Sequence, residues 1–324
     1  CRSEGLIKDS IKEKISISSN VPIDRVINLH DVDTIYDIPL FLKEKEIDKM
    51  ILDTLGLKIK ENYLIDPNEW KSLVTKINDS NKNITIAITG KYTGVHDSYL
   101  SILNAVEHSA PYLNAKINLK WIETTNLNKD NVKEELKNID GVIVPGGFGE
   151  RGVEGKIEYI RYCRENKIPF LGLCYGFQMA VIEFARNVCD LKNANTTEIK
   201  QTEDPVVYIL PEQEEIKDLG GTMRLGGFDM DLKKNTLAFR LYKNNKVRER
   251  FRHRYNVNPK YIETLEKNGM IFSGVAPEKK IMQILELKDH PYFLGTQYHA
   301  EFTSKPLNPS PIFIGFIEAC LNKK

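Results

Sequence analysis

The sequence predicts an α/β fold: a mostly parallel, twisted sheet with helices on both faces, preceded by an incomplete segment and a linker. Three observations predict it. First, runs rich in β-branched residues at 84–90, 117–123, 141–145 and 168–174 alternate with helix-period stretches at about 97–109, 129–138 and 153–166. Strands alternating with helices imply right-handed βαβ units and a sheet covered on both sides. Second, the third run passes into a glycine-rich loop, Pro145-Gly146-Gly147-Phe148-Gly149. Third, Gly172-Leu173-Cys174-Tyr175-Gly176 stands between the fourth run and a helix-like stretch from Phe177 to Val188. Ligands of open α/β sheets bind beyond the carboxyl ends of the strands, where Gly147 and Cys174 both fall.

In chain order, residues 1–57 mix strand-like and helical patterns and end in a charged amphipathic stretch from Phe41 to Leu57, which reads as an incomplete domain. Residues 58–82 are polar, with turn signals at Asp66-Pro67-Asn68 and Asn78-Asp79-Ser80-Asn81, and read as a linker carrying one helix. The main domain, 83–324, opens on Ile84-Thr85-Ile86-Ala87-Ile88. Its late runs at 270–275, 281–287 and 292–299 read as an antiparallel extension of the sheet.

Composition narrows the class. Hydrophobic residues make up 41% of 324, ample for a buried core, and a net charge of +1 gives no electrostatic case for nucleic acid. Five cysteines without a C-x-x-C pair argue against a disulfide framework and for a reducing compartment, so a soluble cytoplasmic enzyme is expected. The six histidines lack the i, i+4 spacing of a helical metal site, and no metal is expected. The sequence shows no apolar run of about 18 residues and none of the pattern of a signal peptide, so neither a secretory signal nor a membrane partner is expected.

The G-x-C-x-G turn has the form of a nucleophile elbow with sulfur in place of the hydroxyl. Glycines flank such a turn because its backbone leaves no room for side chains, and the helix N-terminus that follows favours a thiolate. A lone cysteine at a strand–helix junction is more commonly a small buried hydrophobe, so partners must be sought. His299 and Glu301 supply them: two residues apart on an extended segment, they share a face, and the carboxylate reaches the imidazole. The glycine loop then offers the Gly147 N–H which, with that of Tyr175, forms an oxyanion hole.

Two nucleotide-binding readings fail on residues. Gly147-Phe148-Gly149-Glu150-Arg151-Gly152 matches the G-x-G-x-x-G spacing, but Leu171-Gly172-Leu173-Cys174 stands where an acidic residue should close the next strand about 20 positions on. Gly221-Thr222-Met223-Arg224-Leu225-Gly226 has the glycine spacing of a phosphate loop, but Gly227-Phe228 replaces its lysine and hydroxyl residue.

Gly-x-Cys-x-Gly-x-Gln, the preceding Gly-Gly-Phe-Gly and the late His-x-Glu resemble the class I (triad) glutamine amidotransferases, which have a flavodoxin-like α/β fold. The segments 151–155, 193–198, 220–226 and 252–258, with Cys1-Arg2-Ser3 and 31–39, resemble the CTP synthase family in particular, so the likeness covers nearly the whole chain. It implies hydrolysis of L-glutamine by Cys174, His299 and Glu301, with the substrate held by Gly147, Phe148, Tyr175, Gly176, Phe177, Gln178, Glu198 and Arg254. Glu198 would face its ammonium and Arg254 its carboxylate. It further implies that Arg151, Gly152 and Glu154 belong to a loop tied to GTP activation, and that Lys14 and Val32 border nucleotide pockets. By the same resemblance, the glutaminase domain would need no cofactor of its own, ATP, magnesium and UTP would belong to a synthetase domain of which residues 1–57 would be the tail, and the full enzyme would be a homotetramer. The chain starts at Cys1 and has no lysine-bearing phosphate loop, so it is expected to be a piece of a longer protein and to lack the ATP- and UTP-dependent half reaction. Plainer readings remain: a surface patch of Arg250, Arg252, His253 and Arg254, helix capping by Gln178, another triad hydrolase such as a γ-glutamyl hydrolase, or a non-catalytic module. Phe177, Phe251, Asn256 and Ala300 depart from the family's common Met, His, Glu and Pro.

Overall fold

The computed structural model describes residues 1–58, 67–90, 96–210, 223–277 and 281–323, which fall into two units, Cys1–Asn78 and Asp79–Lys324. In the first, the short strands β1 (Arg2–Ser3) and β2 (Leu29–His30) pair in parallel. Asn28 ties them together, accepting from the Ile7 N–H at 2.9 Å and donating to Ser3 Oγ at 2.6 Å. The helix α1 (Asp9–Ser19) lies between them in sequence. The amphipathic stretch expected from Phe41 to Leu57 is two helices, α2 (Ile38–Glu44) and α3 (Ile47–Leu55), broken where Glu46 adopts φ 51°. The helix expected within 58–82 is α4 (Pro67–Asp79), whose Trp70 donates its indole N–H to Tyr36 O at 2.8 Å.

The second unit is built on β3 (Lys82–Gly90), β4 (Ala115–Glu123), β5 (Gly141–Val144) and β6 (Phe170–Leu173), joined through α5 (Leu100–Ser109), α6 (Val132–Glu135) and α7 (Val153–Glu165). Where 129–138 reads as a helix, only one turn forms. Asn131 and Asn128 side chains capture the N–H groups of Asn128 and Asp130 at 2.9 Å each, a local competition that delays the start of the helix to Val132. After β6 come α8 (Tyr175–Asn187), β7 (Asn195–Thr196), β8 (Pro205–Ile209), β9 (Arg224–Leu232), α9 (Leu237–Tyr242), β10 (Lys246–His253) and β11 (Tyr255–Val257). The chain then continues through α10 (Pro259–Lys267), β12 (Met270–Val275), β13 (Met282–Leu287), β14 (Phe293–Thr296) and α11 (Pro311–Asn322).

Among the described residues the main sheet has nine strands in the order β10-β9-β12-β13-β14-β6-β5-β3-β4. From β14 to β4 all neighbours are parallel; from β14 to β10 all are antiparallel. The expected antiparallel extension therefore exists and is longer than the sequence suggested, because β9 and β10 add to it. The run at 292–299 belongs to both halves, as β14 pairs parallel with β6 and antiparallel with β13. Of the glycine-rich segment at 220–226, residues 220–222 lie outside the described residues and Arg224–Gly226 begin β9. A small sheet, β11-β8-β7, stands beside the main one in the chain order.

Alternation along the central strands builds two cores. Val142, Val144 and Phe170 enter one with α7 and α8, whereas Ile143, Leu171 and Leu173 enter the other with α5 and α11. α8 is buried from Tyr175 to Ala185, so its one carboxylate must be paired. Glu183, fully buried, receives Arg164 of α7 in a fork of three hydrogen bonds at 2.8–3.1 Å.

Candidate active site

The elbow is made by close backbone packing. Cys174 caps α8 at φ 48°, ψ −91°, a conformation that a side-chain-bearing residue holds only when its surroundings impose it. They do so through glycine. A Cβ on Gly176 would stand 2.1 Å from Val144 O, and one on Gly172 would stand 2.8 Å from the Gly176 backbone. The strand, the turn and the helix approach too closely for anything larger, and Cys174 N–H is fixed on Thr296 O at 2.6 Å. Its sulfur is buried at the C-terminal edge of β6, with Arg252 O at 3.6 Å and Gln297 Nε2 at 3.5 Å.

His299 and Glu301 meet as expected, Nδ1 to Oε1 at 2.7 Å, but not on an extended segment. A 3-10 turn, Ala300–Phe302, closes with Phe302 N–H on His299 O at 3.1 Å and brings the carboxylate back to Nδ1. Phe302 stacks on the imidazole with centroids 4.7 Å apart and planes 10° from parallel. The other face of the alignment is Gly146, where a Cβ would lie 2.9 Å from His299 Cε1 and 3.7 Å from Cys174 Cβ. Burial would lower the His299 pKa; the charge of the Cys174 thiolate beside it, and hydrogen bonds to that sulfur and to Glu301, outweigh burial and push it up to about 10. His299 is thus held as an imidazolium beside the Cys174 sulfur. Glu301 Oε2 is buried without a partner among the described residues. A cavity of about 400 Å³, lined by Glu301, Phe302, Ser101 and Asn104, adjoins it.

The glycine loop is anchored on both sides. Glu198 Oε1 accepts from Gly149 N–H at 3.0 Å, and Tyr175 donates its hydroxyl to Gly149 O at 2.6 Å. Tyr175 N–H is the first of its helix, one of the amides that no preceding turn can satisfy. Gly147 and Phe148 are exposed on the loop. Glu198 and Arg254 act with opposite sign on the phenol of Tyr255, so the two charges flank one residue. Burial is the larger influence on that phenol and, with Glu198, raises its pKa.

Gln178 and Phe177 are placed differently from what a substrate contact suggests. Gln178 is buried, its NH₂ spent on Tyr255 O at 3.0 Å and Gln297 Oε1 at 3.2 Å, which leaves only Oε1 without a partner among the described residues. Phe177 is fully buried in the α7–α8 core, so only its backbone is near the elbow. Gly152 caps α7 at φ 74° and Arg151 precedes it, while Glu154 pairs with Arg186 at 2.8 Å. Lys14, exposed on α1, and Val32, just after β2, belong to the amino-terminal unit.

Gly146, Gln297, Arg252 through its carbonyl, and Phe302 complete the site and were not singled out from sequence. Among the described residues, no group of three or more His, Cys, Asp or Glu could hold a metal ion, and no helix is long and apolar enough to cross a membrane.

Comparison with known proteins agrees with this geometry. Residues 94–319 match the glutamine amidotransferase class-I family model and residues 1–57 the CTP synthase N-terminus model. The chain is 45% identical to a CTP synthase of Caldanaerobacter subterraneus subsp. tengcongensis and 48% identical to one of Thermococcus gammatolerans, all of it aligning in each case to 60% of the relative. It therefore spans about 60% of the length of these curated relatives. Among solved structures, the Trypanosoma brucei CTPS glutaminase domain with bound acivicin is 34% identical with a TM-score of 0.69, over 74% of this chain and 95% of that one. With an elbow cysteine, an ion-paired histidine and its carboxylate in place, the chain belongs to the class-I glutamine amidotransferases and, within them, to the kind that forms the glutaminase domain of CTP synthases.

Proposed function

We propose that this chain releases ammonia from L-glutamine through a Cys174 thioester and that, in the longer protein, the ammonia aminates UTP to CTP at the expense of ATP. The observation that carries the first part is the placement of Cys174, in a backbone conformation imposed by its surroundings at the head of α8, beside an imidazole that Glu301 holds at 2.7 Å. With Nδ1 committed to Glu301, Nε2 is the nitrogen left for the sulfur.

The Cys174 thiolate attacks the side-chain carbonyl carbon of glutamine, and the amide oxygen takes the negative charge toward the N–H groups of Gly147 and Tyr175. His299, already carrying the proton, gives it to the leaving nitrogen as the C–N bond breaks, and ammonia departs. Water then attacks the thioester, His299 takes its proton, and the C–S bond breaks to return the thiolate and release glutamate. Glu198 and Arg254 suit the substrate's ammonium and carboxylate, and such fixed charges select an amino acid over other amides.

ATP, magnesium and UTP would be held by the synthetase part of the longer protein. A homotetramer in the cytoplasm, with GTP acting through Arg151, Gly152 and Glu154, completes this reading. The Glu154–Arg186 pair gives that loop a mechanical link to α8, the helix behind the nucleophile.

Ammonia release from glutamine by the chain, compared with Cys174→Ala and repeated with the synthetase part and GTP supplied, tests the proposal. Activity lost in the variant and raised by the supplement is expected. No release from the assembled protein would overturn it.

A further inference from the structure

Three buried amides lie behind the nucleophile, and their orientations follow from fixed chemistry. A backbone carbonyl can only accept a hydrogen bond. Tyr255 O is 3.0 Å from one end of the Gln178 amide and Met282 O is 3.0 Å from one end of the Asn256 amide, so those ends are the NH₂ groups. Each has a second hydrogen, and both point it at the same atom, Gln297 Oε1, at 3.2 and 3.3 Å. Two donors fill the two lone pairs of that oxygen. The far end of the Gln297 amide is therefore its own NH₂, and it faces Cys174 Sγ at 3.5 Å. Turning Gln297 over would set three NH₂ groups against one another. With Gln297 and Asn256 at most 1% exposed and Gln178 at 3%, water is excluded from repairing the loss.

We propose, taking Cys174 as the nucleophile, that Gln297 is a catalytic residue whose Nε2–H holds the sulfur as thiolate, and that Gln178 and Asn256 are positioning residues that lock this donor in place. The sulfur has competing neighbours. As a thiol it can donate to Arg252 O at 3.6 Å, a contact that resists ionisation, whereas Gln297 can only donate and rewards it. In this chain Asn256 presents a donor to Gln297 Oε1, where the family's common Glu would bring a carboxylate that can only accept.

The test follows alkylation of Cys174 by iodoacetamide as a function of pH, read on the Cys174 peptide by mass spectrometry. This reports the sulfur whether or not glutamine is hydrolysed, so failure of the glutaminase reading and failure of this one are told apart. For Gln297→Met, a residue of similar length with no donor, the midpoint of the profile should rise by about one to two units and alkylation at pH 6 should slow about 10- to 100-fold, with the high-pH plateau unchanged. For Asn256→Leu, neutral, similar in shape and not in contact with sulfur, the midpoint should rise by about half a unit to one unit. A folded Gln297→Met with the parental profile overturns the role of Gln297. If that variant does not fold, an unmoved profile in Asn256→Leu overturns the relay.

Discussion

Placing a single methyl group at Gly146 tests the alignment of base and nucleophile directly. In Gly146→Ala the new Cβ would lie 2.9 Å from His299 Cε1 and 3.7 Å from Cys174 Cβ. The second distance is ordinary contact and leaves the nucleophile in place. The first is short of a comfortable carbon–carbon separation by roughly 0.6 to 1 Å, so the imidazole must retreat by about that much. It has little slack, being tied to Glu301 at 2.7 Å and stacked on Phe302 at 4.7 Å. Misplacing a catalytic partner by about 1 Å costs on the order of 100-fold, or about 2.7 kcal/mol of transition-state stabilisation. Overpacking costs about 1–3 kcal/mol of stability where neighbours are rigid, and Gly146 sits on a half-exposed loop, so the lower end applies. Steady-state glutaminase kinetics and a thermal melt measure both. A variant within two-fold of parental kcat/KM, with an unchanged melt, would show that the imidazole does not stand over Gly146 and would sink the alignment argued from it.

The remaining predictions concern charge. Glu301→Gln keeps an acceptor near His299 but removes the charge that opposes its proton, so kcat should fall by roughly 100- to 10,000-fold with KM little changed, as measured in the same assay. Burial holds the His253 pKa down, to about 3, with the nearby charges of Arg224 and His299 adding to it and a hydrogen bond to Tyr255 O opposing it. A depressed pKa means stability that is present above the unfolded value of about 6.5 and is lost as pH falls toward 3. Between pH 6.5 and 4, the parent should therefore lose up to about 1.4 kcal/mol per pH unit more than His253→Asn, a variant that keeps a donor for Tyr255 O; parallel urea titrations giving equal slopes would refute this. Arg164→Met strands the fully buried Glu183 carboxylate and should destabilise by about 3–5 kcal/mol in urea titration at neutral pH.

What could be read from sequence is what backbone sterics and two-sided burial dictate. The elbow was legible because Gly172 and Gly176 face backbone atoms at distances no other residue tolerates. Strands β3, β5 and β6 were legible because their residues divide between two cores and read as nearly continuous apolar runs. Strand β10 was not. Its inward positions alternate Glu249, Phe251 and His253, and the first is satisfied by the hydroxyls of Tyr242 at 2.7 Å and Thr303 at 2.8 Å rather than by apolar burial. A period-two pattern written in polar residues looks like a solvated surface. The His299–Glu301 pair was found for its residue types, yet its geometry came from a 3-10 turn that two-residue spacing does not announce. Nothing in the local sequence separates a buried Gln297 from an exposed one, because its partners come from α8 and β11.

Strand β14 explains why core packing and catalytic alignment are one constraint. It pairs with β6 in the register Phe293 to Phe170, Leu294 to Leu171, Gly295 to Gly172 and Thr296 to Leu173. Cys174 follows the last pair on one side and Gln297 on the other, and the Cys174 N–H to Thr296 O bond continues the ladder to the nucleophile itself. On its other edge, Gln297 N–H bonds Gln283 O at 2.9 Å, and His299 N–H bonds Arg250 O at 2.9 Å. A slip of one residue would move the base and the sulfur donor away from Cys174 together. It would also exchange the faces of Phe293 and Leu294, which belong to different cores, so every apolar contact of the strand opposes it. The apolar alternation of Phe293 and Leu294, far from the reacting atoms, therefore sets where Gln297 and His299 stand.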